Sequence, residues 1–105
     1  MIFNPNLAAG TKMVTGTINI SYVGNNGVYP DFLYVDDSGW HNIDRGQVTI
    51  STPENSLLVF YQREPGFIGP QASTSGGITK VFSQKWNSIE VMVFFVTSDF
   101  TLSIS

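Results

Sequence analysis

The chain's single histidine, His41, sits in "YVDDSGWHNIDRG", residues 34–46. The same stretch holds one of the two tryptophans and three of the eight acids. Nucleophilic catalysis needs a base beside its nucleophile, with a third group to orient the base. His41 with Asp44 is the pairing that sequence proximity suggests. No serine lies in a G-x-S-x-G elbow, which in any case belongs to a strand–turn–helix setting. A triad is defined by geometry, not by nearness along the chain. His41 therefore reads as a solvated strand residue, and the chain as non-catalytic.

Paired carboxylates could hydrolyse a glycoside. The acids are Asp31, Asp36, Asp37, Asp44, Glu54, Glu64, Glu90 and Asp99. All but Glu90 fall in or beside turn signals, where acids are ordinary. Glu90 opens an apolar strand. Buried there, its pKa would rise by desolvation; the reading preferred is a polar residue at the sheet rim or a subunit boundary. With one histidine and no cysteine, only oxygen ligands remain for a metal. Asp36, Asp37 and Ser38 lack the spaced acids and distant Glu of a calcium loop. "GNNG" and "SGG" lack the helix and lysine of a phosphate loop. No metal or cofactor is implied.

Carbohydrate binding has more support, because sugars stack on aromatic rings and bond to Asp, Asn and Arg. Tyr29, Tyr34, Trp40 and Trp86, with Asn25, Asp31, Asn42 and Arg45, offer such groups near turns. The sharpest candidate ligand site is Tyr34, Trp40, His41 and Arg45. Tyr and Trp are equally at home in cores and interfaces, and that structural explanation is favoured.

The elements that must position these residues are strands. No window shows a 3.6-residue apolar period, while Val, Ile, Thr, Phe and Tyr dominate. In "VTGTINISY", Val14, Ile18, Ile20 and Tyr22 alternate with Thr15, Thr17, Asn19 and Ser21. That is a strand with one wet face. Turn signals follow at Asn26-Gly27, at "DDSG", "TPENS", "EPGF", "SGG" and "WNS", and at "TSD", residues 97–99. They predict strands over 13–24, 28–35, 40–43, 46–52, 56–62, 78–85, 89–96 and 100–104. Residues 67–77 read as a long loop or broken edge strand. Within 34–46 the prediction is a hairpin turning at Asp36, Asp37 and Ser38, with Gly39 in a left-handed position. The fold class is all-β. The layout expected is a single-domain antiparallel sandwich of about eight strands, jelly-roll-like or immunoglobulin-like, with a small barrel as the alternative. Residues 1–11 form an N-terminal arm.

Two strands are apolar on both faces. In "IEVMVFFV", Ile89, Val91, Val93 and Phe95 alternate with Glu90, Met92, Phe94 and Val96. In "LLVFY", Leu57, Val59 and Tyr61 alternate with Leu58 and Phe60. One face of each looks at the core, so the other must meet something besides water. The outward face is assigned to Leu58, Phe60, Met92, Phe94 and Val96, which as neighbours would form an interface-sized patch. Cover by the N-terminal arm or by the 67–77 segment, or a central place for these strands in a barrel, is the alternative.

The totals narrow the function. Only 12% of residues are charged and the net charge is −3. Lys12, Arg45, Arg63, Lys80 and Lys85 form no basic run, which disfavours nucleic acid and anionic membranes. Without cysteine there are no disulfides and no thiol chemistry. The start has no secretory pattern, and "VMVFFV" is too short to span a bilayer; synthesis in the cytoplasm is expected. These features predict a non-catalytic structural module that self-associates or joins other assembly subunits. In style the chain resembles small components of viral particles, such as bacteriophage tail, fibre or head-decoration proteins, although no motif carries that likeness. The alternative is a carbohydrate-binding module centred on Trp40.

Overall fold

Alternating β-branched and aromatic residues over most of the chain leave little that could form a helix, and the structure contains none among its described residues. A computed structural model describes residues 11–23, 31–36, 38–43, 46–62, 71–86 and 89–105. It shows β1 (Met13–Ile20), β2 (Phe32–Asp36), β3 (Gly39–Ile43), β4 (Gly46–Pro53), β5 (Ser56–Gln62), β6 (Ala72–Trp86) and β7 (Ile89–Ile104). The hairpin signal at Asn26-Gly27, the "EPGF" turn, Asp44, Arg45 and most of the N-terminal arm lie outside the described residues. So does the side chain of Trp86.

The protein is all-β. Its strands form one seven-stranded sheet in the order β3-β2-β5-β7-β1-β4, with β6 on β7. The sheet is nearly closed, which fits the small-barrel alternative better than two separate sheets. All pairings are antiparallel except β1 with β7, which is parallel. Wholly antiparallel pairing, expected from the turn signals, is corrected there. No described helix is long and apolar enough to cross a membrane.

The β6–β7 hairpin organises everything else. Its strands have 15 and 16 residues. At about 3.3 Å per residue, they account for the molecule's 48 Å long axis. The first half of β7 pairs with β5, and the second half pairs with β1. β6 follows it on the other side throughout. Two half-sheets therefore share one hairpin: β3-β2-β5-β7-β6 and β4-β1-β7-β6.

At the bend between them, Gly76 pairs with Phe100 and Ile78 with Val96, so Gly77 faces the whole of Thr97–Ser98–Asp99. The "SGG" and "TSD" signals thus mark a bulge rather than chain reversals. Predicted strands 89–96 and 100–104 are one strand. Likewise, most of the predicted 67–77 loop is the start of β6. The β4–β5 turn fills the fork, where Asn55 N donates to Val96 O at 2.7 Å and Glu54 N to Lys12 O at 2.9 Å. Asn55 takes φ 59°, a conformation Asn tolerates better than most residues. Beside the fork, the Asp99 carboxylate accepts from Thr15 N at 2.8 Å.

The core lies on one face of the sheet, the side to which the even-numbered residues of β7 point. It joins Val14, Ile18 and Ile20 of β1 to Leu102 and Ile104 of β7, and to Phe32, Leu58, Phe60, Met92, Phe94 and Val96. Burying a large side chain contributes roughly 1.5–3 kcal/mol, and Phe60 with Phe94, edge to face at 5.8 Å, anchors the set. In the other half-sheet the Phe100 ring lies over Gly16, where any Cβ would collide with it.

Candidate functional site

The expected outward patch is in the core. Leu58, Phe60, Phe94 and Val96 are 0% exposed and Met92 is 1% exposed. The assignment of these five residues to an oligomer interface is therefore overturned. Strand side chains alternate, so an error of one residue exchanges the two faces completely. The residues that face outward are the ones placed inward: Leu57, Val59 and Tyr61 of β5, and Ile89, Val91, Val93 and Phe95 of β7. All are half-buried except Leu57, which is exposed.

Their neighbours extend the apolar surface. Across five strands, one row runs Trp40–Val35–Val59–Val93–Phe82. The next runs Asn42–Leu33–Tyr61–Val91–Gln84. Leu57–Phe95–Thr79 makes a shorter third. None of these residues is charged. Trp40 is 62% exposed and Phe82 47%. The Trp40 ring stands edge-on to Tyr61 at 6.4 Å.

Phe82 reaches this face because of a second bulge. Lys80 pairs with Phe94, but Phe82 pairs with Val93, leaving Val81 extra. The bulge re-aims the rest of the strand: Phe82 turns to the outer face, and Lys85 comes opposite Glu90. Glu90 is 9% exposed and lies between Lys85 and Gln62 in register. Burial pushes its carboxyl pKa up, against the opposing pull of Lys85 and Lys80. Glu90 thus stands at the end of the β5–β7 pairing, where a rim residue is expected, but its side chain is buried there.

The predicted ligand residues are not brought together. The β2–β3 hairpin forms as expected, with Gly39 at φ 115°. Tyr34 pairs with His41 and Val35 with Trp40, so His41 and Trp40 point to opposite faces. Tyr34 is buried, stacked under His41 at 4.8 Å. Its other neighbour is Phe60 at 5.9 Å. No face of Tyr34 is left for a sugar. Arg45 lies outside the described residues.

His41 has a partner that sequence proximity did not single out. Its Nε2 lies 3.0 Å from Asp36 Oδ1 and 2.8 Å from Ser38 Oγ. Ser38 donates to the same carboxylate oxygen from its amide at 2.8 Å and from its hydroxyl at 2.7 Å. Burial acts to raise the Asp36 pKa, but the Ser38 hydroxyl and amide and the His41 ring outweigh it and hold the carboxyl below its usual value. The register carries the missed signal: Gly39 opposite Asp36 has no side chain, so His41 can reach diagonally across. A relay needs the acid on one ring nitrogen and the nucleophile on the other. Here Asp36 and Ser38 share Nε2, and the serine proton goes to Asp36. The cluster locks a turn and does not activate a hydroxyl.

Elsewhere an open groove of about 420 Å³ is lined by Lys12, Met13, Val14, Thr15, Ser98 and Asp99. Its carboxylate is already engaged by Thr15, and it touches none of the predicted ligand residues. No metal-holding cluster of His, Asp and Glu occurs among the described residues. No protein-family model, curated protein or solved structure matches this chain.

Proposed function

We propose that this protein is a non-catalytic assembly module that self-associates through the outer face of the β3-β2-β5-β7-β6 half-sheet. The observation that carries the reading is the row Trp40–Val35–Val59–Val93–Phe82, apolar on every strand. A contiguous apolar patch of several hundred Å² marks an interaction surface. A small, charge-poor β module of this type suits a repeating particle, such as a bacteriophage tail, fibre or head decoration.

Light scattering coupled to size exclusion, over a concentration series, tests the reading. The expected result is association that survives high salt, because no ion pairs hold the face, and that is lost in Val59→Asp. A strict monomer at the highest attainable concentration overturns it. The exposure of Trp40 supports a second reading, carbohydrate binding. Here Trp40 works without Tyr34 and His41, so only a shallow one-ring site is on offer. Titration with oligosaccharides that leaves tryptophan emission unchanged removes it.

A further inference from the structure

We propose that the partner on this face is a second copy of the chain, related by a two-fold axis, with Trp40 of each copy seated on the Val59–Val93 floor of the other. This rests on the self-association reading above and names its partner and geometry.

Four observations lead there. The first is relief. Trp40 and Phe82 stand at the two ends of the row, with valines between them. Trp40 leans toward Tyr61 of β5 and is still 62% exposed. A bulky knob and a low floor on one surface complement a rotated copy of that surface, as an isologous interface requires. The contact with Tyr61 also braces the indole before binding, which lowers the cost of ordering it. The second is charge. Rows without a charged residue set no ion against its own image when the face meets itself, and they offer none to select a charged partner.

The third is area. Five strands at about 4.8 Å spacing over the five residues of β2 and β3, and three strands over the rest of β5, at about 3.4 Å per residue give a face of roughly 500 Å². Two copies together bury about 1,000 Å², the size at which an interface becomes stable. The fourth concerns the edges. Among the described residues β6 is the longest free edge, and it carries Lys80, Lys85 and two register breaks. β3 has only five residues. Blunted edges of this kind oppose strand addition, so edge pairing along this half-sheet is suppressed; the remaining edge, β4, belongs to the other half-sheet. What remains for this half-sheet is a face-to-face contact that closes at two copies.

The test measures mass and Trp40 emission together on the full chain. Emission is read in a Trp86→Phe background or, should that background not fold, as the difference between wild type and Trp40→Ala. The expected result is a mass that doubles and stops, with a blue shift of Trp40 emission over the same concentration range. Trp40→Ala, with circular dichroism and cooperative unfolding unchanged, raises Kd at least tenfold. A monomer at all concentrations overturns this proposal and the reading beneath it. Doubling without a shift, or without sensitivity to Trp40→Ala, overturns the Trp40 geometry while leaving self-association standing. Growth beyond two copies overturns the closed two-fold. A monomer that shifts only with neutral phosphatidylcholine vesicles makes the partner a lipid surface and overturns the second copy.

Discussion

The β6–β7 hairpin belongs to two half-sheets, and their outer faces have opposite chemistry. Outside β4-β1-β7-β6, one row reads Thr49–Thr17–Thr101–Ser75 and the next Gln47–Asn19–Ser103–Ser73. Outside β3-β2-β5-β7-β6, the matching row reads Trp40–Val35–Val59–Val93–Phe82. Both rows are rich in β-branched residues, so strand propensity is met equally. Only solvation separates them. Hydroxyls let the first face remain in water, whereas the second gains free energy only when covered. The change occurs along one continuous strand, at the Thr97–Asp99 bulge, so one hairpin presents a polar surface at one end and an apolar surface at the other. Both half-sheets rest on the same core, and the polar one shows that this architecture does not demand an apolar outer face.

The sharpest break of that comparison sets inner against outer on a single strand. Phe94 and Val93 are neighbours in sequence, one 0% exposed and the other half-buried on the outer face. Phe94→Ala should cost about 3–5 kcal/mol of folding stability. Val93→Ala should cost under about 1.5 kcal/mol and act chiefly on association. Denaturant unfolding at low protein concentration separates the two, since dimer formation adds to apparent stability as concentration rises. Equal losses would mean that the outer face is already covered within one chain.

Much of this was legible in the residues, and the failure was one of parity. Composition and alternation were enough for the all-β class, the β1 wet face, the 34–43 hairpin and the presence of a face needing cover. Which face it was could have been read from β7 itself. Phe100, Leu102 and Ile104 alternate with Thr101 and Ser103, so even positions point inward. Carried back through residues 97–99, that phase puts Met92, Phe94 and Val96 inside. Reading "TSD" as a reversal cut the strand and lost the phase, because local turn signals do not distinguish a bulge from a turn. The Lys80–Phe82 bulge has no comparable sequence mark. Nor could the His41–Asp36 contact be read from spacing alone, since it depends on cross-strand register.

The β2–β3 hairpin offers a second test, because Trp40 is held on the apolar outer face by a strand whose other side is tied to Asp36 through His41. Asp36 has a folded-state pKa below its usual value. Its stabilising contribution is therefore present above the unfolded pKa of about 3.9 and is lost as pH falls through the folded value. Asp36→Asn should lower stability by about 1–2 kcal/mol near neutral pH. The gap between wild type and variant should narrow progressively below about pH 4. A gap that is constant with pH would show that the carboxylate charge plays no part in locking the turn.

The smallest perturbation tests the comparison most directly, because valine and threonine nearly match in shape and differ by a hydroxyl. Val59→Thr makes one position of the apolar row resemble its counterpart on the wet face; Thr101→Val does the reverse. Both sites are solvent-accessible in the single chain, so neither change leaves a cavity, and folding stability should move by no more than about 0.5 kcal/mol in either variant. Association should respond asymmetrically. A hydroxyl at Val59 must be desolvated without a partner when a second copy seats Trp40 there, costing about 1–3 kcal/mol. The cost enters twice in a two-fold dimer, which corresponds to a Kd raised roughly thirtyfold or more, since about 1.4 kcal/mol is a factor of ten. Thr101→Val should leave Kd unchanged, because one methyl within a hydroxyl-lined face creates no contiguous patch. Sedimentation equilibrium on the two variants decides between the faces: a weakened Thr101→Val dimer would move the interface to the wet side, and an unaffected Val59→Thr dimer would remove it from the apolar one.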